Sequence, residues 1–132
     1  MSSKTTEIVQ AAFDAISRED VQGFLALTHS DLVLVEPASM AVGGVHVGHE
    51  AVLKKVLLTM GKRLKVRVQS ATLIGEGPTI AASLQVLFTS RRTGAELVMP
   101  YVELHTVRDG KIARMEIYPQ DTQTLNAFWD AN

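Results

Sequence analysis

Two glutamates interrupt runs of residues that are otherwise apolar and β-branched, and their carboxyl groups could take part in acid–base chemistry. Glu36 ends the run DLVLVE at residues 31–36 and precedes Pro37, whereas Glu103 lies in the middle of a run that should be half buried. Desolvation in an apolar cavity disfavours the charged form of a carboxyl group and raises its pKa toward the range useful for taking a proton from a carbon next to a carbonyl. Tyr101 carries a hydroxyl that could donate a hydrogen bond.

Each glutamate also has a simpler interpretation. Glu36 could cap a turn or pair with a Lys or Arg at the surface, and Glu103 could be an exposed cross-strand partner of a base such as Arg114. Side chains alternate along a strand, so Tyr101, Glu103 and His105 share one face. Periodicity alone would put that face, and Glu103, outside, but the pattern by itself does not decide between these interpretations. With that face outside, His105 is a partly exposed strand residue.

The element that positions Tyr101 and Glu103 is a hairpin predicted for residues 97–119. Its two strand-like runs are joined by the sequence RDGK at residues 108–111. Gly reaches positive φ without a clash of a Cβ atom and Asp tolerates positive φ better than most residues, so this sequence predicts a tight turn. The turn fixes the register, and Tyr101 and Glu103 must then face the same side of the sheet.

Helices are predicted ahead of most of the strands. Residues 5–17 have apolar side chains at helical spacing, Asp20 caps a short second helix over 21–28, and a third helix over 49–60 ends at Gly61. The remaining predictions are strands over 31–36, 66–74 and 79–90, a loop or short hairpin over 37–48, turns at 75–78 and 93–94, and a short helix or partner contact over 120–132. This order indicates one α+β domain of residues 1–132, with the helices packed on one face of a curled antiparallel sheet.

Alternation of apolar and polar residues predicts which side chains of two strands face the helices. The inward sets are Leu84, Val86 and Phe88 on the strand over 79–90, and Ala113, Met115 and Ile117 on the last strand.

Composition excludes several classes of protein. With 46% hydrophobic residues and a formal net charge of -1, the chain is globular and lacks the basic field that nucleic acid would need. It has no cysteine, and its four histidines include no pair four residues apart, so we expect no metal and no cofactor. No run approaches the roughly 20 apolar residues that span a bilayer, and the polar start lacks the apolar core of a signal peptide, so we expect a cytoplasmic protein without a membrane partner.

The order of elements and three segments of the sequence resemble the nuclear transport factor 2-like (NTF2-like) superfamily, in the branch that contains SnoaL-like proteins and ketosteroid isomerase. The segments are IVQAAFDAISREDVQGFLALTHSDLVLVEP, GVHVGHEAV and VELHTVRDGKIARMEIY. The resemblance implies a cone, in which a strongly curved antiparallel sheet wraps around three N-terminal helices and an apolar pocket opens at the wide end. It also implies a homodimer that forms through the outer face of the sheet.

The same resemblance implies roles for the two glutamates. In ketosteroid isomerase the general base is an Asp at the end of the first strand, immediately before a Pro, and Glu36 holds that position here. A protonated Asp on the penultimate long strand helps to form the oxyanion hole, and the matching residue is Glu103, which the resemblance turns into the pocket with Tyr101. The family's oxyanion Tyr on the first helix matches Ala12, which cannot donate a hydrogen bond, and both acids are Glu where that enzyme has Asp.

The leading hypothesis is therefore a cofactor-independent acid–base enzyme of the isomerase or cyclase type, acting on a hydrophobic carbonyl-containing small molecule. Glu36 would be the base and Glu103, with Tyr101, the electrophilic partner. The alternative is a non-catalytic module for ligand binding or dimerisation. The residues expected to line the pocket are Phe13, Phe24, Leu84, Val86, Phe88, Met115 and Ile117.

Overall fold

The computed structural model describes residues 4–132, in which two helices come first, a third helix separates the first two strands from the other four, and one helix comes last. The helices are α1 (Lys4–Ser17), α2 (Val21–Ala26), a continuous third helix made of α3 (His49–Ala51), a π-helical stretch (Val52–Leu57) and α4 (Leu58–Gly61), and finally α5 (Thr122–Ala131). Asp20 caps α2 as predicted, because its carboxylate accepts a hydrogen bond of 2.8 Å from the backbone N–H of Gly23. The C-terminal tail is a helix, which was one of the two predicted alternatives.

The strands form one curved, unclosed six-stranded sheet in the order β2-β1-β6-β5-β4-β3. Their bounds are β1 Thr28–Glu36, β2 Gly44–Val47, β3 Leu64–Ile74, β4 Thr79–Ser90, β5 Glu96–Arg108 and β6 Lys111–Pro119. Neighbouring strands are antiparallel except β1 and β6, which run parallel, so the sheet is not wholly antiparallel as predicted. Hairpin turns make the other neighbours antiparallel, whereas no hairpin constrains β1 and β6, which lie far apart in the chain.

The turn between β5 and β6 confirms the predicted hairpin. Arg108 pairs with Lys111, and the two residues between them have positive φ, 53° at Asp109 and 76° at Gly110. Positive φ at both central residues is what a type I′ turn requires. The register shifts just beyond this turn, between Thr106 and Val107.

This β-bulge changes which residues of β6 point inward. Ile112 is fully buried, whereas Ala113, predicted to face inward, is only half-buried at the bulge. One extra residue in a strand changes which of the following side chains face inward, and alternation in the sequence does not reveal where such a residue lies. Beyond the bulge Met115 and Ile117 are buried as predicted.

We call the sheet face that α1 and the third helix cover the inner face. It carries the predicted residues Leu84, Val86 and Phe88 of β4, all buried. On β5 the buried residues of the central part are Tyr101, Glu103 and His105, so the parity left open by the sequence is settled with Glu103 inward. Within residues 4–132, no helix has the length and apolarity needed to cross a membrane.

Candidate active site

A cavity of about 110 Å³ lies between the inner face of the sheet and the helices. Its wall is apolar apart from three side chains, Glu36, Tyr101 and Glu103. We call this space the acid cavity. The sequence-predicted acid–base residues therefore converge on one largely apolar space, where electrostatic interactions are stronger than in water.

The register of three neighbouring strands brings the two carboxyl groups together. Val35 of β1 lies level with Glu116 of β6, so the following residues, Glu36 and Ile117, are also neighbours. Ile117 in turn pairs with Glu103 of β5. The two glutamates thus occupy one row on either side of Ile117, two strand spacings of about 4.8 Å apart in the backbone.

Glu36 is the more isolated of the two acids. It is 7% exposed, and its carboxyl group makes no hydrogen bond or ion pair with any of residues 4–132. Burial raises the pKa of Glu36 to about 8, and the negative charge of Glu103 contributes in the same direction. A carboxyl group with this pKa can hold or release a proton near neutral pH.

Tyr101 lies two residues from Glu103 on the same face of β5 and is also buried. Burial raises the pKa of its phenol above the usual range, and the charges of Glu36 and Glu103 raise it further. The hydroxyl group therefore stays protonated at physiological pH and can only act as a neutral donor or acceptor.

Glu103 differs from Glu36 because it has a partner. Its Oε1 atom lies 2.9 Å from Nε2 of His105, which is completely buried. The simple interpretation of His105 as partly exposed is therefore wrong. The alternative pairing of Glu103 with Arg114 is also wrong, since Arg114 lies near Glu116, at 3.6 Å, outside the cavity.

Six of the seven residues predicted to bind a ligand line the acid cavity: Phe13, Phe24, Val86, Phe88, Met115 and Ile117. Leu84 does not, although it faces inward, because it is buried in the packed core at 1% exposure. Ala12, at the position of the family tyrosine, is likewise buried in the core and does not line the cavity.

Sequence reasoning missed the part of the wall that the third helix supplies, namely Val56, Leu57 and Met60. Val56 and Leu57 belong to the π-helical stretch. Just beyond it, the side-chain hydroxyl of Thr59 donates a hydrogen bond of 3.0 Å to the backbone carbonyl of Lys54. A π-helical turn changes which side chains face the sheet, and such turns are frequent at functional sites. No pattern in the sequence distinguishes it from an ordinary helix.

A second cavity of about 150 Å³ adjoins the acid cavity toward Arg91. The two share four lining residues, Ile16, Leu57, Met60 and Val66. These side chains lie between the two cavities. Among the described residues, no group of three or more His, Asp or Glu side chains is placed to hold a metal ion.

Comparison with known proteins agrees with this architecture. The model of the SnoaL-like domain family matches residues 9–115. TerC, co-crystallised with polyporic acid, is 27% identical with a TM-score of 0.86, covering 97% of this chain and 99% of that protein. A search of curated protein sequences finds no match.

Two further structures share the fold at lower identity. A candidate polyketide cyclase from Xanthomonas campestris pv. campestris is 23% identical with a TM-score of 0.82, covering 94% of this chain and 95% of that one. An NTF2-like protein of unknown function from Burkholderia pseudomallei K96243 is 20% identical with a TM-score of 0.83 and the same coverage of 94% and 95%. The chain belongs to the SnoaL-like domain family and shares the fold of NTF2-like proteins.

Proposed function

We propose that this protein is a cofactor-independent acid–base enzyme of the isomerase or cyclase type. It transfers a proton on a hydrophobic small molecule that contains a carbonyl group, and Glu36 and Glu103 are the pair of carboxyl groups that handle the proton. Tyr101 is an additional donor to the substrate oxygen. The names of the family and of the candidate cyclase are consistent with this class of reaction.

One observation carries the proposal. Glu36 is a buried carboxyl group without a hydrogen-bond partner among residues 4–132, and it opens into an apolar cavity that a second buried carboxyl group also lines. Burying a polar group without a partner costs free energy, and a site that serves only stability would avoid that cost. A substrate atom in the cavity would supply the missing partner.

The size of the site limits the part of the substrate that reacts. A cavity of about 110 Å³ is smaller than an apolar cavity of about 150 Å³ that takes up benzene. The cavity beside the glutamates is thus slightly too small for a six-membered ring as it stands, and it can take one ring once the wall relaxes slightly. A longer substrate would extend past Met60 and Leu57 into the second cavity.

Deuterium exchange tests the proposal even when the product of the reaction is unidentified. The protein is incubated in D₂O with a panel of apolar ketones that each carry a hydrogen on the carbon next to the carbonyl group, and incorporation of deuterium at that carbon is followed by mass spectrometry. We expect exchange above the buffer rate with at least one compound. Glu36→Gln and Glu103→Gln should each slow it about 100-fold or more, because each removes a proton donor or acceptor. Glu96→Gln, which changes an exposed carboxylate on β5, is the matched control.

Two outcomes would contradict the enzyme assignment. One is exchange that persists undiminished in both glutamine variants. The other is binding of panel compounds, seen by calorimetry, with no exchange of any of them, and this second result would support the non-catalytic ligand-binding module.

We further propose that two copies pair through the outer face of the sheet. Val102 and Tyr118 pair in register there and are 45% and 51% exposed. Arg114 and Glu116 share the outer face of β6 with Tyr118 and carry opposite charges. A twofold axis would place Arg114 of one copy near Glu116 of the other, which makes the surface self-complementary.

Native mass spectrometry tests the dimer. Wild-type protein should be dimeric and Val102→Asp monomeric, since a carboxylate would be buried against its own copy. Val45→Asp, an exposed position on the edge strand β2, should remain dimeric. A wild-type monomer at working concentration would refute the assignment.

A further inference from the structure

The contact between Glu103 and His105 determines how protons are distributed in the acid cavity. His105 lies behind Glu103 and does not line the cavity. Its ring meets the ring of Phe13 edge-on, with centroids 5.3 Å apart and an angle of 88°. Its Nε2 atom lies 2.9 Å from the carboxyl group of Glu103, and its Nδ1 atom is buried without a hydrogen-bond partner among residues 4–132.

The unpartnered Nδ1 atom selects one protonation state of His105. A proton on Nδ1 would leave a buried N–H group without an acceptor, which proteins rarely tolerate. A doubly protonated ring would have the same unpaired N–H group and a buried charge as well. The remaining state is neutral, with the proton on Nε2, and in that state His105 donates a hydrogen bond to Oε1 of Glu103.

A hydrogen bond received from a donor stabilises the ionised form of a carboxyl group. Glu103 has such a bond and Glu36 has none among the described residues. Two carboxyl groups that share one apolar cavity titrate as a coupled pair and carry a single negative charge over a wide pH range. The ionisable side chains that face the pair are Tyr101 in the cavity wall and His105 behind it, and neither supplies a positive charge in the state derived above.

We propose that Glu103, positioned by His105, is the ionised carboxylate that accepts the substrate proton, and that Glu36 is the protonated acid that donates to the substrate oxygen. This assignment rests on the proposed function and reverses the roles that the resemblance to ketosteroid isomerase implies. It makes His105 a positioning residue, because His105 acts through Glu103 and does not reach the cavity.

The proton transfers balance without a further reactant. The C–H bond next to the substrate carbonyl breaks, its proton moves to Glu103, and its electron pair forms the C=C bond of an enol. The carbonyl π electrons move to oxygen, which takes the proton of Glu36. In the second half, Glu103 returns its proton to carbon, at the same or a conjugated position, and the enol O–H proton returns to Glu36.

Carbon NMR of protein labelled at the glutamate carboxyl groups tests the assignment without a substrate. The resonances are assigned with Glu36→Gln and Glu103→Gln. Near neutral pH we expect the Glu103 signal of an ionised group and the Glu36 signal of a protonated one. His105→Leu removes the donor that favours the charge on Glu103 and should lower the titration midpoint of Glu36 by about one pH unit or more, whereas His105→Gln, which keeps an N–H donor, should preserve the wild-type order.

An ionised Glu36 beside a protonated Glu103, or midpoints unchanged in His105→Leu, would overturn the inference. If His105→Leu does not fold, nitrogen NMR of wild-type histidine decides the matter, because the inference requires a protonated Nε2 and an unprotonated Nδ1, and the opposite tautomer refutes it. These readouts are independent of turnover. Absent deuterium exchange with the expected carboxyl order would reject the proposed function alone, and normal exchange with the reversed order would reject this inference alone.

Discussion

The acid cavity and a basic cleft just beyond the C-terminal end of the third helix handle charge in opposite ways. The cleft, of about 330 Å³, is lined by Lys62, Arg63, Arg91, Arg92, Asp130 and Asn132. It is larger than the acid cavity and carries more charge. Volume and charge alone would make the basic cleft the better candidate site.

Hydrogen bonding reverses that ranking. Arg63 donates to the backbone carbonyl of Trp129, and its guanidinium carbon lies 4.0 Å from the centre of the Trp129 ring. Arg92 donates to the carbonyl of Ala131 at 2.7 Å. These arginines hold α5 against the sheet and are already paired. Glu36 has no such partner within residues 4–132. Its burial therefore lowers the free energy of unfolding, whereas the hydrogen bonds of the cleft raise it.

The largest expected effect is on the pH dependence of the free energy of unfolding, and it comes from Glu36. Folding raises its pKa from 4.5 to about 8, so between these values the folded protein holds a proton that the unfolded chain releases. The stabilising contribution of the Glu36 proton to the free energy of unfolding is therefore fully present below pH 4.5 and is lost as pH rises to about 8. The loss is about 1.4 kcal/mol per pH unit and roughly 5 kcal/mol in total.

Glu36→Gln should remove this pH dependence and become the more stable protein at the alkaline end. Urea denaturation from pH 4.5 to pH 8 measures the free energy of unfolding of both proteins. Glu96→Gln, on the exposed start of β5, should follow the wild-type curve. Parallel curves for wild type and Glu36→Gln would mean that Glu36 ionises freely in the folded protein.

A smaller effect is expected in the basic cleft. Arg63→Ala removes a charged hydrogen bond and a cation–π contact, and should lower the free energy of unfolding by about 2 kcal/mol. The loss should be the same across the pH range, because Arg stays charged. It is measured by the same urea denaturation.

Lys62→Ala is the matched control for Arg63→Ala. Lys62 lines the same cleft, but its side-chain ammonium group has no hydrogen bond or ion pair among residues 4–132, so the change should fall within about 0.5 kcal/mol. Equal losses in the two variants would show that the cleft acts through its total charge, and the contrast with the acid cavity would then fail.

Local patterns predicted most of the helices and strands of the fold. Asp20 predicted a helix cap, and the sequence at Asp109 and Gly110 predicted the turn, because these features depend on neighbouring residues only. The parallel pairing of β1 with β6 was beyond such patterns. It depends on contacts between segments that are far apart in the chain.

The candidate site was only partly predictable. Alternation showed that Tyr101, Glu103 and His105 share a face, but it favoured the outside for Glu103. The resemblance to a known family supplied the inward direction, which the structure has. Neither source predicted the hydrogen bond between His105 and Glu103.

The sequence by itself determined the order of helices and strands, the tight turn of the last hairpin and the presence of two acids in apolar runs. Spacing and turn chemistry are local, so they can be read along the chain. Only the tertiary structure decided that Glu36 and Glu103 meet in one cavity and that one of them has a hydrogen-bond partner. Burial and pairing depend on long-range register, where a single bulge reverses the direction of a side chain.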